Sequence, residues 1–192
     1  MDELIISTVA QGLLWSVMAM GVFITFRTLN IADLSVEGSF PLGGAVAAML
    51  LAEKVNPATA IVAAGLAGML AGAVSGLLYT KLKIPALMAG ILTMIALYSV
   101  NLRVMGKANL SLLNTDTMFT ALEFLKLSPN MTTFVAGLCI AVAIPLWLYW
   151  FFGTEIGMAV RATGSNPQMI RAMGVNTDDM FLLGLVLSNG LV

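Results

Sequence analysis

Uncharged runs of about twenty residues recur along this chain. A helix rises about 1.5 Å per residue, so about 20 apolar residues cross the roughly 30 Å hydrocarbon core of a bilayer. Leu4 to Phe26, Ala58 to Thr80, Ile84 to Val100 and Met131 to Phe152 are such runs. Pro57 and Pro85 stand at the entry of two of them, where a missing N–H costs nothing. Ile31 to Ala52 is long enough but carries Asp33 and Glu37 at its start, so only Phe40 to Ala52 is cleanly apolar and the span reads as broken. A sixth run begins at Met180 and stops at Val192, too short to cross. The expected fold is all-α: a polytopic integral membrane helix bundle with a discontinuous second span. Residues 1–192 read as one transmembrane domain, the N-terminal part of a longer protein.

The rest of the composition agrees. Of 192 residues 59% are hydrophobic and 10% charged, against about 45–50% and about 25% in soluble domains. There is no histidine and a single cysteine, Cys139. That removes Ser-His triads, imidazole relays, internal disulfides and Cys/His metal sites. A net charge of −1 without a basic run argues against nucleic acid. Met1-Asp2-Glu3 is acidic where a signal peptide is basic, and Leu4 to Phe26 exceeds such a peptide's apolar core.

Basic residues set a weak orientation. With the polar stretch 153–179 in the cytoplasm, Arg27, Lys81, Lys83, Arg161 and Arg171 lie inside, and Lys54, Arg103, Lys107 and Lys126 outside. Trp147, Tyr149 and Trp150 suit the membrane interface at the end of the fifth run. Gly68, Gly72 and Gly76, with Gly65 nearby, make a small-residue groove for helix packing.

Two segments carry more information. In the first, Asn30, Asp33, Ser35 and Glu37 precede Gly38, Pro41, Gly43 and Gly44. Ionisable residues at membrane depth face a cavity or a partner. Asp33 and Glu37, four apart, would share one helix face. They either line a translocation route or serve shape, with Asn30 capping one helix and Ser35 or Ser39 another; Gly38 to Gly44 would supply the break. In the second segment, Asn166 fits an N-cap, Pro167 the first helical position and Gly174 the left-handed residue after the end, giving a short helix from Pro167 to Met173. Another short helix, Glu155 to Thr163, precedes it, and Thr177 with Asp178 and Asp179 starts the sixth run. Met169, Ile170 and Met173 would form a seat for a partner's groove, with Arg171 left in water, unless the helix simply lies on lipid headgroups.

The pattern Gly157-x3-Arg161-Ala-x-Gly164-x-Asn166-Pro167-x3-Arg171-Ala-x-Gly174-Val175 resembles the cytoplasmic coupling segment of permease subunits of bacterial ABC importers, in the branched-chain amino acid and ribose permease superfamily. Ile31-Ala-Asp33-Leu-Ser35-Val-Glu37-Gly38-Ser39 resembles that superfamily's Ile-Asp-Leu-Ser-Val-Gly-Ser motif, with Ala32 and Glu37 inserted. The variant is most similar to the tryptophan/tyrosine-type subgroup. The resemblance implies a multi-pass permease of the bacterial plasma membrane that dimerises, takes solute from an extracellular binding protein and is driven by cytoplasmic ATP-binding subunits gripping 153–179. The chain is then not an enzyme and holds no cofactor; ATP belongs to the partner, and no Gly-x4-Gly-Lys-Ser/Thr loop occurs here. Two alternatives stand beside it: an ion-coupled secondary transporter using Asp33 and Glu37, and a non-transporting assembly subunit. Amino acids and other small polar molecules are all open as solutes.

Overall fold

The computed structural model describes residues 2–107 and 129–192. Lys126, and most of the connection from Asn101 to Asn130, fall outside them. The described elements are helices: α1 (Asp2–Phe23) running into a wider π-helical turn (Ile24–Thr28), α2 (Val36–Ala52), α3 (Pro57–Thr80), α4 (Ala86–Met105), α5 (Pro129–Gly153), α6 (Glu155–Ser165), α7 (Pro167–Ala172) and α8 (Thr177–Leu191). Among the described residues, four stretches are long and apolar enough to cross a membrane: Leu4–Thr28, Pro57–Thr80, Ala86–Met105 and Met131–Gly153. Large apolar side chains such as Leu4, Val62, Leu70, Ile95 and Leu146 stay exposed on them. Such surface suits lipid, which needs no burial of apolar groups.

Local chemistry sets most helix ends. Asn56 accepts a hydrogen bond from Ala58 N–H and Pro57 takes the first position of α3. α4 starts at Ala86 with Pro85 as its cap rather than in its first turn, and it extends past Val100 to Met105. There Gly106, at φ +62°, ends it in the left-handed conformation.

The second span departs from its expected break. Gly38, Pro41, Gly43 and Gly44 all lie inside one continuous helix, α2, of 17 residues. The interruption comes earlier, between the π-turn and Val36. Wide i→i−5 bonding closes α1, with Leu29 N–H donating to the Ile24 carbonyl at 2.9 Å. Asn30 then sits at φ +56°, a left-handed conformation that asparagine tolerates better than most residues. It ends a helix and caps none. The chain runs on without helix to Ser35, burying Leu29, Ile31, Asp33 and Ser35 in alternation. Irregular backbone at membrane depth persists only where protein or water satisfies it.

α8 lies along the glycine face of α3. A Cβ at Gly68 would strike the Asn189 carbonyl, one at Gly72 the Leu185 carbonyl, and one at Gly76 would meet Leu182 Cδ1 at 2.5 Å. Gly65 has ordinary clearance, 3.6 Å from the Gly190 carbonyl. Close backbone approach needs glycine at Gly68 and Gly72, whereas Gly76 faces the end of a leucine side chain and Gly65 has room. On its other side α8 meets α1, where Ser188 Oγ donates to the Gly21 carbonyl at 2.7 Å. α2 packs between α3 and α4, around Leu42, Ala71 and Leu97.

Candidate functional site

The four residues expected to line a route do not act together. Asn30 and Glu37 are exposed, whereas Asp33 and Ser35 are buried at 3% and 0% exposure. Asp33 precedes α2 and Glu37 lies within its first turn, so the two carboxylates do not share a helix face. None of Asn30, Ser35 and Ser39 caps α2 through its side chain; Ser35 holds the N-cap position without a side-chain cap bond, and Asp33 braces it instead. Its Oδ1 accepts Ser35 N–H at 2.9 Å. Its Oδ2 accepts Ser35 Oγ–H at 2.8 Å and Asn189 Nδ2–H at 3.2 Å. The single hydroxyl proton of Ser35 is shared with Asn189 Oδ1 at 3.1 Å, and Asn189 Nδ2 also donates to the Leu185 carbonyl at 3.1 Å. Every member of this buried network has a partner, and each bond to the carboxylate contributes about 1.5–3 kcal/mol net. Asn189 is a participant that pattern reading missed, although a polar side chain eleven residues beyond Asp178 in an apolar run is the signal for one.

Glycines clamp the non-helical stretch on three sides. At Gly90 of α4 a Cβ would stand 2.7 Å from Leu34 N and 2.9 Å from Asp33 Oδ1. At Gly184 of α8 it would meet Leu29 Cδ1 at 2.5 Å, and at Gly164 of α6 it would run into the Thr28 carbonyl. Leu29 and Ile31 continue into a buried cluster with Val160 of α6 and Phe181 and Leu185 of α8. Gly90 and Gly184 carry no motif of their own, and only their long-range contacts mark them.

The segment from 153 to 179 folds as two short helices. Thr154 caps α6 by accepting Gly157 N–H at 3.2 Å, and α6 reaches Ser165, two residues beyond its expected end. A Cβ at Gly157 would collide with the Phe151 carbonyl, so glycine lets α6 fold back on the end of α5. Asn166 accepts Met169 N–H at 3.0 Å, Pro167 opens α7, and Gly174 follows its end at φ +88°. Met173 caps α7 instead of ending inside it. The last helix starts at Thr177, as expected, and Asn176 caps it, accepting Asp178 N–H at 3.1 Å.

The expected partner-facing side of α7 divides. Met169 and Met173 are exposed at 52% and 71%, but Ile170 turns inward at 6%. Arg171 is not left in water alone: Nη2 donates to Thr177 Oγ1 at 2.7 Å and pairs with Asp178 at 3.5 Å. Lys83 Nζ pairs with the same carboxylate at 2.8 Å. Its hydrogen bond holds the Asp178 carboxyl below the ordinary carboxylate range, against the opposing effect of burial and with help from the charges of Lys83, Arg171 and Lys81. Arg27 and Arg161 line a cavity of about 830 Å³ together with Tyr149 and Trp150. Arg27, Lys81, Lys83, Arg161 and Arg171 thus gather around the two short helices. Among the described residues no His, Cys, Asp and Glu group could hold a metal ion.

Comparison with known proteins agrees with this architecture. A tyrosine transport system permease protein of Clostridioides difficile is 38% identical over 188 residues, covering 98% of this chain and 61% of that protein. A protein of Rickettsia prowazekii, RP368, is 30% identical over 189 residues, 98% of this chain and 65% of the relative. The ribose import permease protein RbsC of Escherichia coli K12 is 29% identical over 177 residues, 88% of this chain and 52% of that one. The chain therefore spans about three fifths of the length of the first two relatives. No solved structure matches it. Residues 4–191 match the family described as branched-chain amino acid transport system / permease component. The chain belongs to that family of transporter permease components, as a multi-pass protein of the bacterial inner membrane rather than an enzyme.

Proposed function

We propose that the chain is the permease subunit of an ATP-driven importer, moving a small solute, an amino acid or a related molecule, inward by alternating access. It works as a homodimer, receives solute from an extracellular binding protein and is driven by cytoplasmic ATP-binding subunits that grip residues 153–179. One observation carries this reading: Gly164 lets α6 rest directly on the main chain at Thr28 and Leu29, immediately before the Asp33 network. Movement of the short helices therefore reaches the non-helical stretch through a backbone contact. Clustering of five basic residues at this end supports its cytoplasmic side. Met169 and Met173 offer the apolar contact, and Arg161, beside Arg27, offers charge to an acidic acceptor. Pairing of Arg171 with Thr177 and Asp178 gives it the task of fixing α7 to α8.

Uptake by the assembled transporter in vesicles tests this. Vanadate or ATP depletion should abolish uptake while a protonophore leaves it unchanged. Gly164→Val and Gly174→Val should each uncouple ATP hydrolysis from uptake. Survival of uptake and of ATPase co-purification in both variants, or collapse with the protonophore alone, overturns the assignment. An ion-coupled site shared by Asp33 and Glu37 finds no support, because the first is held by three hydrogen bonds from Ser35 and Asn189 and the second lies apart from it.

A further inference from the structure

A second cavity, of about 590 Å³, opens between α2 and α4 and is lined by Glu37, Gly38, Pro41, Tyr98 and Asn101, with methionines around them. Its depth follows from Gly38, whose added Cβ would meet Met94 Cα at 2.9 Å and Leu97 Cδ1 at 3.1 Å. Those residues lie eight and eleven positions after Ala86, about 12–17 Å along a helix of about 30 Å. Glu37 is thus exposed beside the second half of α4, a candidate span, and its carboxylate has no ion-pair or hydrogen-bond partner among the described residues. An ionised group at that depth requires water or a cationic partner.

One buried oxygen in the same groove lacks a donor among the described residues, and a second loses its usual helical donor. Asn101 is 9% exposed, and its Oδ1 accepts no hydrogen bond among the described residues. It lies four residues after Leu97, on the face that α4 turns to Gly38. Pro41 stands four residues after Glu37 inside α2 and has no N–H to give to the Glu37 carbonyl. A buried acceptor without a donor costs about 1–3 kcal/mol, so Asn101 Oδ1 is an expense that a ligand could relieve. Carboxylate, side-chain amide oxygen and main-chain carbonyl are all acceptors, and one of them is charged.

We propose that this groove is a transit site for the solute's primary ammonium group, which presents three donors and one positive charge. Glu37 supplies the charge, Asn101 Oδ1 and the Glu37 carbonyl take the remaining donors, and Tyr98, 68% exposed, offers a ring face beside them. The proposal rests on the importer reading only for the reason such a group passes here.

Isothermal titration of phenethylammonium chloride into the permease, purified with its co-expressed subunits in lipid nanodiscs, tests the site, with empty nanodiscs as reference. Saturable binding is expected, weakened about ten-fold or more by Glu37→Gln and about three-fold or more by Asn101→Leu, the size of lost bonds to charged and neutral groups. Pro41→Ala, which restores the helical N–H, should weaken binding while raising thermal stability; a residue serving shape alone would not move the two in opposite directions. 3-Phenylpropionate, with a carboxylate in place of the ammonium, should not bind. Absence of saturable binding, unchanged affinity in E37Q, equal binding of phenylpropionate, or displacement by sodium at equal concentration each overturns the site. The titration uses no ATP, so its failure leaves the importer reading standing, and ATP-independent uptake would leave the site standing.

Discussion

Asp33 and Glu37 sit four residues apart in one motif, and the molecule treats them in opposite ways. Around Asp33 three elements converge, each presenting glycine or a polar side chain, and the carboxylate is buried with three hydrogen bonds from Ser35 and Asn189. Among the described residues, the groove beside Glu37 is lined by α2 and α4, and neither the Glu37 carboxylate nor Asn101 Oδ1 receives a donor. Equal charge and equal helix proximity therefore do not define equal roles; what differs is the number of protein donors already in place. The Asp33 region is built to hold its shape, and the Glu37 region is left able to receive something.

That contrast can be broken experimentally. The largest effect should come from the seam that supports the Asp33 side. Gly72→Val would drive a side chain into the Leu185 carbonyl and should cost about 3 kcal/mol or more, seen as lost expression or a collapsed melting transition in detergent. Gly65→Ala, with ordinary clearance, should change little. Next in size, Asp33→Ala strands Ser35 N–H and Asn189 Nδ2–H and should cost about 2–4 kcal/mol. Glu37→Ala, by the same thermal assay, should stay within about 0.5 kcal/mol. Equal losses at the two positions would erase the distinction between them.

The smallest effect concerns Asp178. Its folded carboxyl titrates below the unfolded value of about 3.9, so its contribution is present above that pH and is lost as pH falls through the folded value. Asp178→Asn should flatten the dependence of melting temperature on pH below about pH 4. At neutral pH it should cost about 1 kcal/mol or less, as for other exposed pairs.

Much of the fold is written locally. Asn56-Pro57, Thr154, Asn166-Pro167 and Gly174 place helix ends through bonds spanning two or three residues, and apolar length alone marks four spans. The site is less legible because its decisive contacts are distant. Asn189 lies 156 residues from Asp33, so nothing near Asp33 announces the donor that separates it from Glu37. Asparagine at position 30 is likewise ambiguous in sequence, since the residue serves both ends of a helix, and here it ends one in the left-handed conformation. Ile170 reads as surface from spacing because a six-residue helix is too short for its periodicity to say which side has a neighbour.

The bare contact of Gly164 with the Thr28 carbonyl has a mechanical consequence. A lever whose bearing is a long side chain loses travel to rotamer slack before its load begins to shift. Here peptide rests on peptide, both stiff, so a displacement of the short helix reaches Leu29 without backlash, and even a methyl group inserted as a shim would change the resting position of everything beyond it.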